Sequence, residues 1–289
     1  MTETRSRRVE PVGVSVERAS IPRVYDIAMG GKDNYDVDRA AWAPIREVAP
    51  RQHVVLRANR GWLGRVVRWM AERVAVDQFL DLGAGLPTPD PLHRVAQEWG
   101  RTDRTFVYVD NDPVCNAHGR ALLEQTDGSH YLPGDLADPD ETLKVAGRYI
   151  DLDRPIGVLM GAVLHHFPDE EDPASITARY IELLPPGSYL AISHYTDPGA
   201  RNEKLHQLAR DLERAHVEMG LGSGWYRSPD EIRGFFHDLE MVDPGLVQLD
   251  QWWPQGPPLG EKSPEEWLMI GGVGQKPDPT LAPVPIFGN

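Results

Sequence analysis

Gln78-Phe79-Leu80-Asp81-Leu82-Gly83-Ala84-Gly85-Leu86-Pro87 is the stretch on which the reading of this chain turns. A short apolar run ends in an acid, two spaced glycines follow, and a helix start comes next. The pattern predicts a buried strand, a glycine turn and a helix. Gly83 and Gly85 can take backbone angles closed to other residues and let a ligand approach the main chain. The carboxylate just before them decides which nucleotide-like ligand is meant.

Beyond this stretch the chain alternates short apolar runs with helical patterns, as in a parallel sheet with helices on both faces. Strands are expected over 105–109, 130–132, 156–160 and 189–193. They lead into Asp110-Asn111-Asp112, Gly134-Asp135-Leu136, Gly161-Ala162-Val163-Leu164-His165-His166 and His194-Tyr195-Thr196-Asp197. Asp90 is read as an N-cap before Pro91, and helices are expected over 139–149 and 174–184. A charged helix over 200–219, a loop over 220–228 and a helix over 229–236 follow. Runs at 246–252 and 266–271 suggest an antiparallel pair at the sheet edge.

Toward the N-terminus, residues 1–20 read as a mobile arm and 21–76 as a helical extension that packs on the following domain, 77–275. Within the extension, Trp62, Leu63, Val66, Val67, Met70 and Val74 recur at helical spacing, which marks core packing over 58–76. A further helix is expected over 40–48. Residues 22–39 have two readings. One is a helix stopped at Gly30 and followed by a polar loop; the other is a lid in which Tyr25, Lys32, Asn34 and Tyr35 face a ligand. Residues 276–289 are proline-rich and read as a tail.

The 289 residues are enough for one sizeable α/β domain with extensions. A net charge of −14 argues against a nucleic-acid backbone as the main partner. Cys115 is the only cysteine, so there is no intramolecular disulfide and no thiolate metal cluster. It reads as a small apolar helix residue. No apolar run approaches the roughly 18 residues of a membrane span, and the polar, basic N-terminus does not resemble a secretory signal. A cytoplasmic protein is the expectation, with no membrane partner.

Ligands of open parallel sheets bind outside the carboxyl ends of the strands. Asp81, Asp110, Asp135, His165 and His194 all fall there. Asp110 suits the two hydroxyls of a ribose. Asp135, with the backbone N–H beside it at Leu136, suits the amino group and ring nitrogen of adenine. Nicotinamide enzymes place G-x-G-x-x-G after the first strand; here the order is Asp81-x-Gly83-x-Gly85, with Pro87 where a third glycine would stand. An acid before the glycines suits an ammonium and a sulfonium better than a pyrophosphate. No phosphate-cradling G-x-x-x-x-G-K-[ST] motif occurs, and no metal constellation is visible. The neighbours His165 and His166 would point apart on an extended segment.

Taken in order, D-L-G-A-G, V-Y-V-D-N-D, G-D-L, V-L-H-H-F and L-P-P-G-S-Y-L resemble a class I S-adenosylmethionine-dependent methyltransferase. The segment P-R-V-Y-D-I-A-M-G-G-K-D-N-Y-x-V-D-R is similar to an actinobacterial methyltransferase family long labelled as of unknown function. The resemblance implies a Rossmann-like seven-stranded sheet, mostly parallel with the last strand antiparallel, and S-adenosyl-L-methionine as cofactor. It places Gly83, Ala84 and Gly85 by the methionine part with Asp81. Asp110 and Asn111 go to the ribose, Asp135 and Leu136 to adenine, and Gly161, Tyr25, Gly31, Lys32 and Asn34 complete the cofactor set. Pro87 departs from the pattern and removes a backbone donor there. His165 and His194 are the expected general bases, and His166, Tyr195, Trp225 and Tyr226 the expected walls of a small-molecule acceptor pocket. The competing functions are a catalytically silent cofactor-binding sensor or scaffold, and an NAD-dependent oxidoreductase.

Overall fold

The computed structural model describes residues 15, 17–100, 104–124, 128–218, 220–221, 224–256 and 260–279. Most of the expected N-terminal arm and proline-rich tail lies outside them. Strands β1 (Gln78–Leu82), β2 (Thr105–Asp110), β3 (Ser129–Pro133), β4 (Gly157–Gly161) and β5 (Tyr189–Tyr195) are parallel, in the spatial order β3-β2-β1-β4-β5. Two short pieces, β6 (Glu240–Met241) and β7 (Val247–Gln248), both pair antiparallel with β8 (Met269–Gln275), which is itself antiparallel to β5. They form one interrupted edge strand. The sheet thus has seven strand positions, with the last strand antiparallel, as expected.

Side chains on a strand alternate between faces, and the core divides accordingly. Phe79, Phe106, Tyr108, Tyr131, Leu159, Tyr189, Ala191 and Tyr195 belong to one apolar cluster. Their strand neighbours Leu80, Val107, Val109, Leu132, Val158, Leu190 and Ile192 belong to a second. The first cluster takes in helices α1 (Ile21–Met29), α2 (Asp36–Val48) and α3 (Gln52–Glu72), together with α4 (Leu92–Trp99), α5 (Pro113–Leu122) and, from farther along the chain, α8 (Glu203–Glu218). The second is covered by α6 (Pro139–Ala146), α7 (Pro173–Leu183) and the segment after α9 (Pro229–Gly234).

Helix α3 lies directly on the sheet because glycines leave room for it. A Cβ at Gly161 would stand 2.7 Å from Leu63, one at Gly157 2.8 Å from Met70, and one at Gly271 2.8 Å from the Trp62 ring. The rest of the extension is held by a buried ion pair, Arg23–Asp38 at 2.9 Å. Asp38 also accepts from the backbone N–H groups of Ser20 (3.0 Å) and Tyr35 (2.8 Å), so one carboxylate joins the starts of α1 and α2. Removing one partner of such a pair typically costs about 3–5 kcal/mol. The Ser20 hydroxyl donates to Asp112 at 2.8 Å and so ties the extension to the end of β2.

Several boundaries differ from expectation: α4 begins at Leu92 with Pro91, not Asp90, at its N-cap, and four others bear on the core and the site. Helix α2 begins at Asp36 rather than residue 40, because Asp38 caps it. Helix α3 begins at Gln52 rather than residue 58, gaining the buried Val55 and Leu56. β5 continues through Tyr195, so His194 and Tyr195 lie within the strand, where β8 pairs with them. Ser263-Pro264-Glu265-Glu266 forms a capped 3₁₀ turn, so β8 starts at Met269 rather than residue 266. Among the described residues no helix is long and apolar enough to cross a membrane.

The packing of α3 yields two substitutions of opposite sign. Gly271→Ala drives a methyl into the Trp62 ring and should destabilise the protein by about 1–3 kcal/mol in urea denaturation. Gly61→Ala, on the exposed side of α3 with only Arg65 in ordinary contact, should stabilise it by about 0.5–1 kcal/mol.

Candidate functional site

Strand alternation carries the carboxyl ends of three strands to the face covered by α1 and α3. Asp81 follows Phe79 at two residues, Asp110 follows Tyr108, and Gly161 follows Leu159, so all three open toward the extension. Between them and the helices is a cavity of about 580 Å³, within the roughly 300–1,000 Å³ of small-molecule sites. Asp81, Gly83, Ala84, Gly85, Asp110, Asn111, Asp135, Leu136 and Gly161 line it, as do Tyr25 and Gly31 from the extension.

The glycine turn is fixed from several sides. Val109 O accepts from the N–H groups of both Gly83 and Ala84. The Gly85 N–H donates to Asp110 Oδ2 at 2.7 Å, and the Tyr131 hydroxyl donates to Gly85 O at 2.6 Å. Both glycines have positive φ, 71° and 69°, a region costly for other residues. Their surroundings differ. A Cβ on Gly83 would strike Val163 at 2.5 Å, whereas one on Gly85 would have nothing within 4 Å. The main chain at Gly85 therefore faces open space. Pro87 also lines the cavity and has no N–H to offer.

The acids are not equivalent. Asp81 is 3% exposed and accepts no hydrogen bond from any described residue. Burial pushes its carboxyl up to about 7, against the pull of the Arg60 cation and with a further push from Asp110. A carboxylate so placed gains most from a cation arriving in the cavity. Asp110 is raised by burial, opposed by the N–H groups of Asp112 and Gly85 that it accepts. The Cys115 thiol is a third partner, so of the carboxylate's roughly four acceptor directions about one stays open. Asp135 is exposed; its Oδ1 takes the Ala137 N–H at 2.9 Å, and buried Leu136 stands beside it. Burial, helped by Asp110 and Asp112, raises the Cys115 thiol, so its core reading stands.

Both readings of residues 22–39 contain part of the arrangement. Gly30 ends α1 in a left-handed conformation, as a helix stop does. Tyr25 faces the cavity, and its hydroxyl donates to Leu56 O at 3.1 Å. Gly31 is needed because a Cβ there would overlap the Asp26 carboxylate. That carboxylate accepts from the Asp33 N–H and the Asn34 side chain, each at 2.9 Å. Asn34 thus stands behind Asp26 rather than in the cavity. Lys32 is exposed and lines neither cavity, and Tyr35 lies against Arg23.

The histidines separate by strand parity and by partner. His194 lies one residue from Tyr195 and projects to the opposite face, fully buried. Its Nδ1 donates to Tyr195 O at 2.6 Å, and its Nε2 faces Arg227 at 3.3 Å, so both ring nitrogens are engaged away from the cavity. His166 lines the large cavity. It also lines a second chamber of about 60 Å³, with His165, Tyr195, Gln52 and His216. Tyr226 stacks on Tyr195 with centroids 4.9 Å apart, and Trp225 is held through its N–H to His165 O at 3.0 Å. Neither lines the chamber. Among the described residues no three His, Cys, Asp or Glu side chains are grouped to hold a metal ion.

Sequence reading missed the contribution of α3. Arg60 sits over the acids and donates to Thr88 Oγ1 at 2.9 Å; Asn59, 2% exposed, accepts from the Ser193 hydroxyl at 2.6 Å. That hydroxyl accepts from the Ala162 N–H at 2.9 Å, which positions the turn after β4. The available signal was Asn59 itself, a polar residue in the apolar stripe Val55, Leu56, Trp62, Leu63.

A family model described as S-adenosyl methyltransferase matches residues 7–277. A crystal structure from Thermobifida fusca YX with a provisional methyltransferase designation is 36% identical, covering 90% of this chain and 96% of that one at a TM-score of 0.83. A duf574 family protein from Streptomyces avermitilis MA-4680 is 34% identical at the same TM-score of 0.83, covering 91% of this chain and 99% of that one. The plantazolicin methyltransferase, solved with S-adenosylhomocysteine and a triazolic analogue, shares the fold at a TM-score of 0.50 and 9% identity; the coverage is 89% of this chain and 96% of that one. No curated protein matches the chain. The matches run along nearly the whole sequence: the chain belongs to the S-adenosyl methyltransferase family, with S-adenosylmethionine as its cofactor.

Proposed function

We propose that the large cavity binds S-adenosylmethionine and that the protein transfers a methyl group to a small-molecule acceptor by in-line displacement. The observation that carries this reading is Asp81, a buried carboxylate without a hydrogen bond that opens onto the cavity beside the bare main chain of Gly85. Asp81 answers the positive charge of the methionine part. Asp110 takes a ribose hydroxyl through its remaining acceptor direction while holding Gly85 in place. The free oxygen of Asp135 and the apolar side of Leu136 receive adenine. Tyr25 and Asp26 close the cavity from α1.

When bound, the cofactor supplies a methyl group activated by its sulfonium, so the protein's task is alignment and exclusion of water. His166, which lines both cavities, stands at the boundary between cofactor and acceptor. Burial holds its imidazole down to about 3, so the ring is neutral across the physiological range. His165 is likewise depressed well below its ordinary value by burial. Either ring, being neutral, can accept a hydrogen bond from a hydroxyl acceptor and so orient its oxygen. His194, with both nitrogens spent, keeps a positioning role for Arg227 and the turn at residues 164–169. The family favours neither the silent sensor nor the nicotinamide enzyme.

Methyl-labelled S-adenosylmethionine incubated with the full chain and fractionated small-molecule extract of the source cells should yield a labelled low-mass product. Label found only in macromolecules would contradict a small-molecule acceptor. A second outcome follows from the protonation of Asp81. A cationic group binds the ionised carboxylate, and below about pH 7 the free protein must first lose a proton there. Affinity for S-adenosylhomocysteine should therefore strengthen by roughly 25-fold from about pH 5.5 to about pH 7.5. Asp81→Asn should flatten this dependence in calorimetric titrations; the same slope in the variant would assign it to another group.

A further inference from the structure

The chamber behind the large cavity is built for something smaller than a cofactor. Its volume, about 60 Å³, holds a few water molecules. It adjoins the large cavity through Ile21, Tyr25, Ala162 and His166, which line both. Three polar atoms on its lining side chains lack hydrogen-bond partners although fully buried: His165 Nδ1, His166 Nδ1 and Gln52 Oε1. Gln52 and His165 are 2% and 4% exposed. An unmade hydrogen bond at a buried polar atom costs on the order of 1–3 kcal/mol, so three in one chamber call for an occupant.

The chemistry of the lining narrows what that occupant can be. Among the described residues lining the chamber there is no Asp, Glu, Lys or Arg. A charged group placed there would lose its hydration without gaining a counter-ion. The imidazoles give no charge either. Burial depresses His165, His166 and His216 alike. Two of the lining side chains have their sense fixed by hydrogen bonds they already make. Gln52 Nε2 donates to the Tyr195 hydroxyl at 2.6 Å, which leaves Oε1 as an acceptor. His216 Nδ1 faces Leu212 O at 2.8 Å and so carries the proton, leaving Nε2 as an acceptor. The remaining walls, Val24, Trp42, Leu56 and Leu221, are apolar.

We propose that this chamber receives the methyl-accepting end of the substrate, and that this end is an uncharged group bearing a hydroxyl or ring N–H donor on a small apolar body. The inference rests on reading the large cavity as the S-adenosylmethionine site. Amines that are cationic in solution and carboxylates are the classes it excludes from the chamber. The bulk of a larger acceptor stays outside it, since only a few atoms fit.

The test uses the full chain saturated with S-adenosylhomocysteine at about pH 7.5, titrated by NMR with three probes of similar size: pyrazole, trimethylammonium and acetate. Pyrazole should bind saturably and at least roughly tenfold more tightly than either ion. Leu221→Trp and Val24→Phe each narrow the chamber without lining the cofactor contacts at Asp81, Gly85 or Asp110. Each should weaken pyrazole at least roughly tenfold while S-adenosylhomocysteine affinity stays within about twofold. If either ion matches pyrazole, if pyrazole ignores both substitutions, or if the chamber holds water only, the proposal is wrong. The wild-type probe comparison decides the matter even if both variants fail to fold. Failure of S-adenosylhomocysteine itself to bind would instead overturn the cofactor reading on which the chamber assignment stands.

Discussion

The site depends on the two-residue period of the strands. One parity of β1, β2, β4 and β5 places aromatic and aliphatic residues against the N-terminal helices and, at the strand ends, turns Asp81, Asp110 and Gly161 to the same side. The other parity feeds a separate apolar cluster. A one-residue slip in β1 would move Asp81 into that second cluster and leave a leucine at the glycine turn. The pairing of β1 with both β2 and β4 fixes the register from two sides.

That constraint gives the N-terminal extension its role. Helix α3 can lie on the sheet only where Gly157, Gly161 and Gly271 leave space, and this brings Asn59 and Arg60 over the strand ends. Arg60 moderates the charge of Asp81; Asn59, through Ser193, holds the turn at Ala162. Helix α1 then supplies Tyr25 and Asp26 as the outer wall, anchored by the Arg23–Asp38 pair and by Ser20 on Asp112. The extension completes the cavity as well as covering the core.

Much of this was legible in the sequence because it depends on local rules. An acid after an apolar run, repeated at Asp81, Asp110 and Asp135, marks strand ends on any parallel sheet, and the glycines mark the turn. What escaped depends on pairing between distant segments. β5 looked finished at Ser193, yet β8 extends its pairing to Tyr195 and thereby sends His194 to the far face. Helix α3 looked like core from its apolar stripe, and its arginines looked solvated. Only the tertiary position of the helix brings Arg60 over the acids. The edge strand broke into two pieces because the Asp243-Pro244-Gly245 turn interrupts its pairing with β8. Lys32 and Asn34 seemed equivalent to Tyr25 in the motif, but only the helical residue turns inward; Asn34 acts through Asp26.

The central claim is that Asp81, the Gly83–Gly85 turn and Asp110 form an adenosyl-methionine site and no other nucleotide site. Side-by-side calorimetry of the full chain with S-adenosylhomocysteine and with NAD tests it most directly, with Asp110→Ala as the paired variant. The account predicts one saturable site for S-adenosylhomocysteine, weakened by roughly a hundredfold in the variant through loss of a charge-assisted hydrogen bond and of the hold on Gly85, and no saturable binding of NAD. Saturable NAD binding, or an affinity for S-adenosylhomocysteine that Asp110→Ala leaves unchanged, would contradict it.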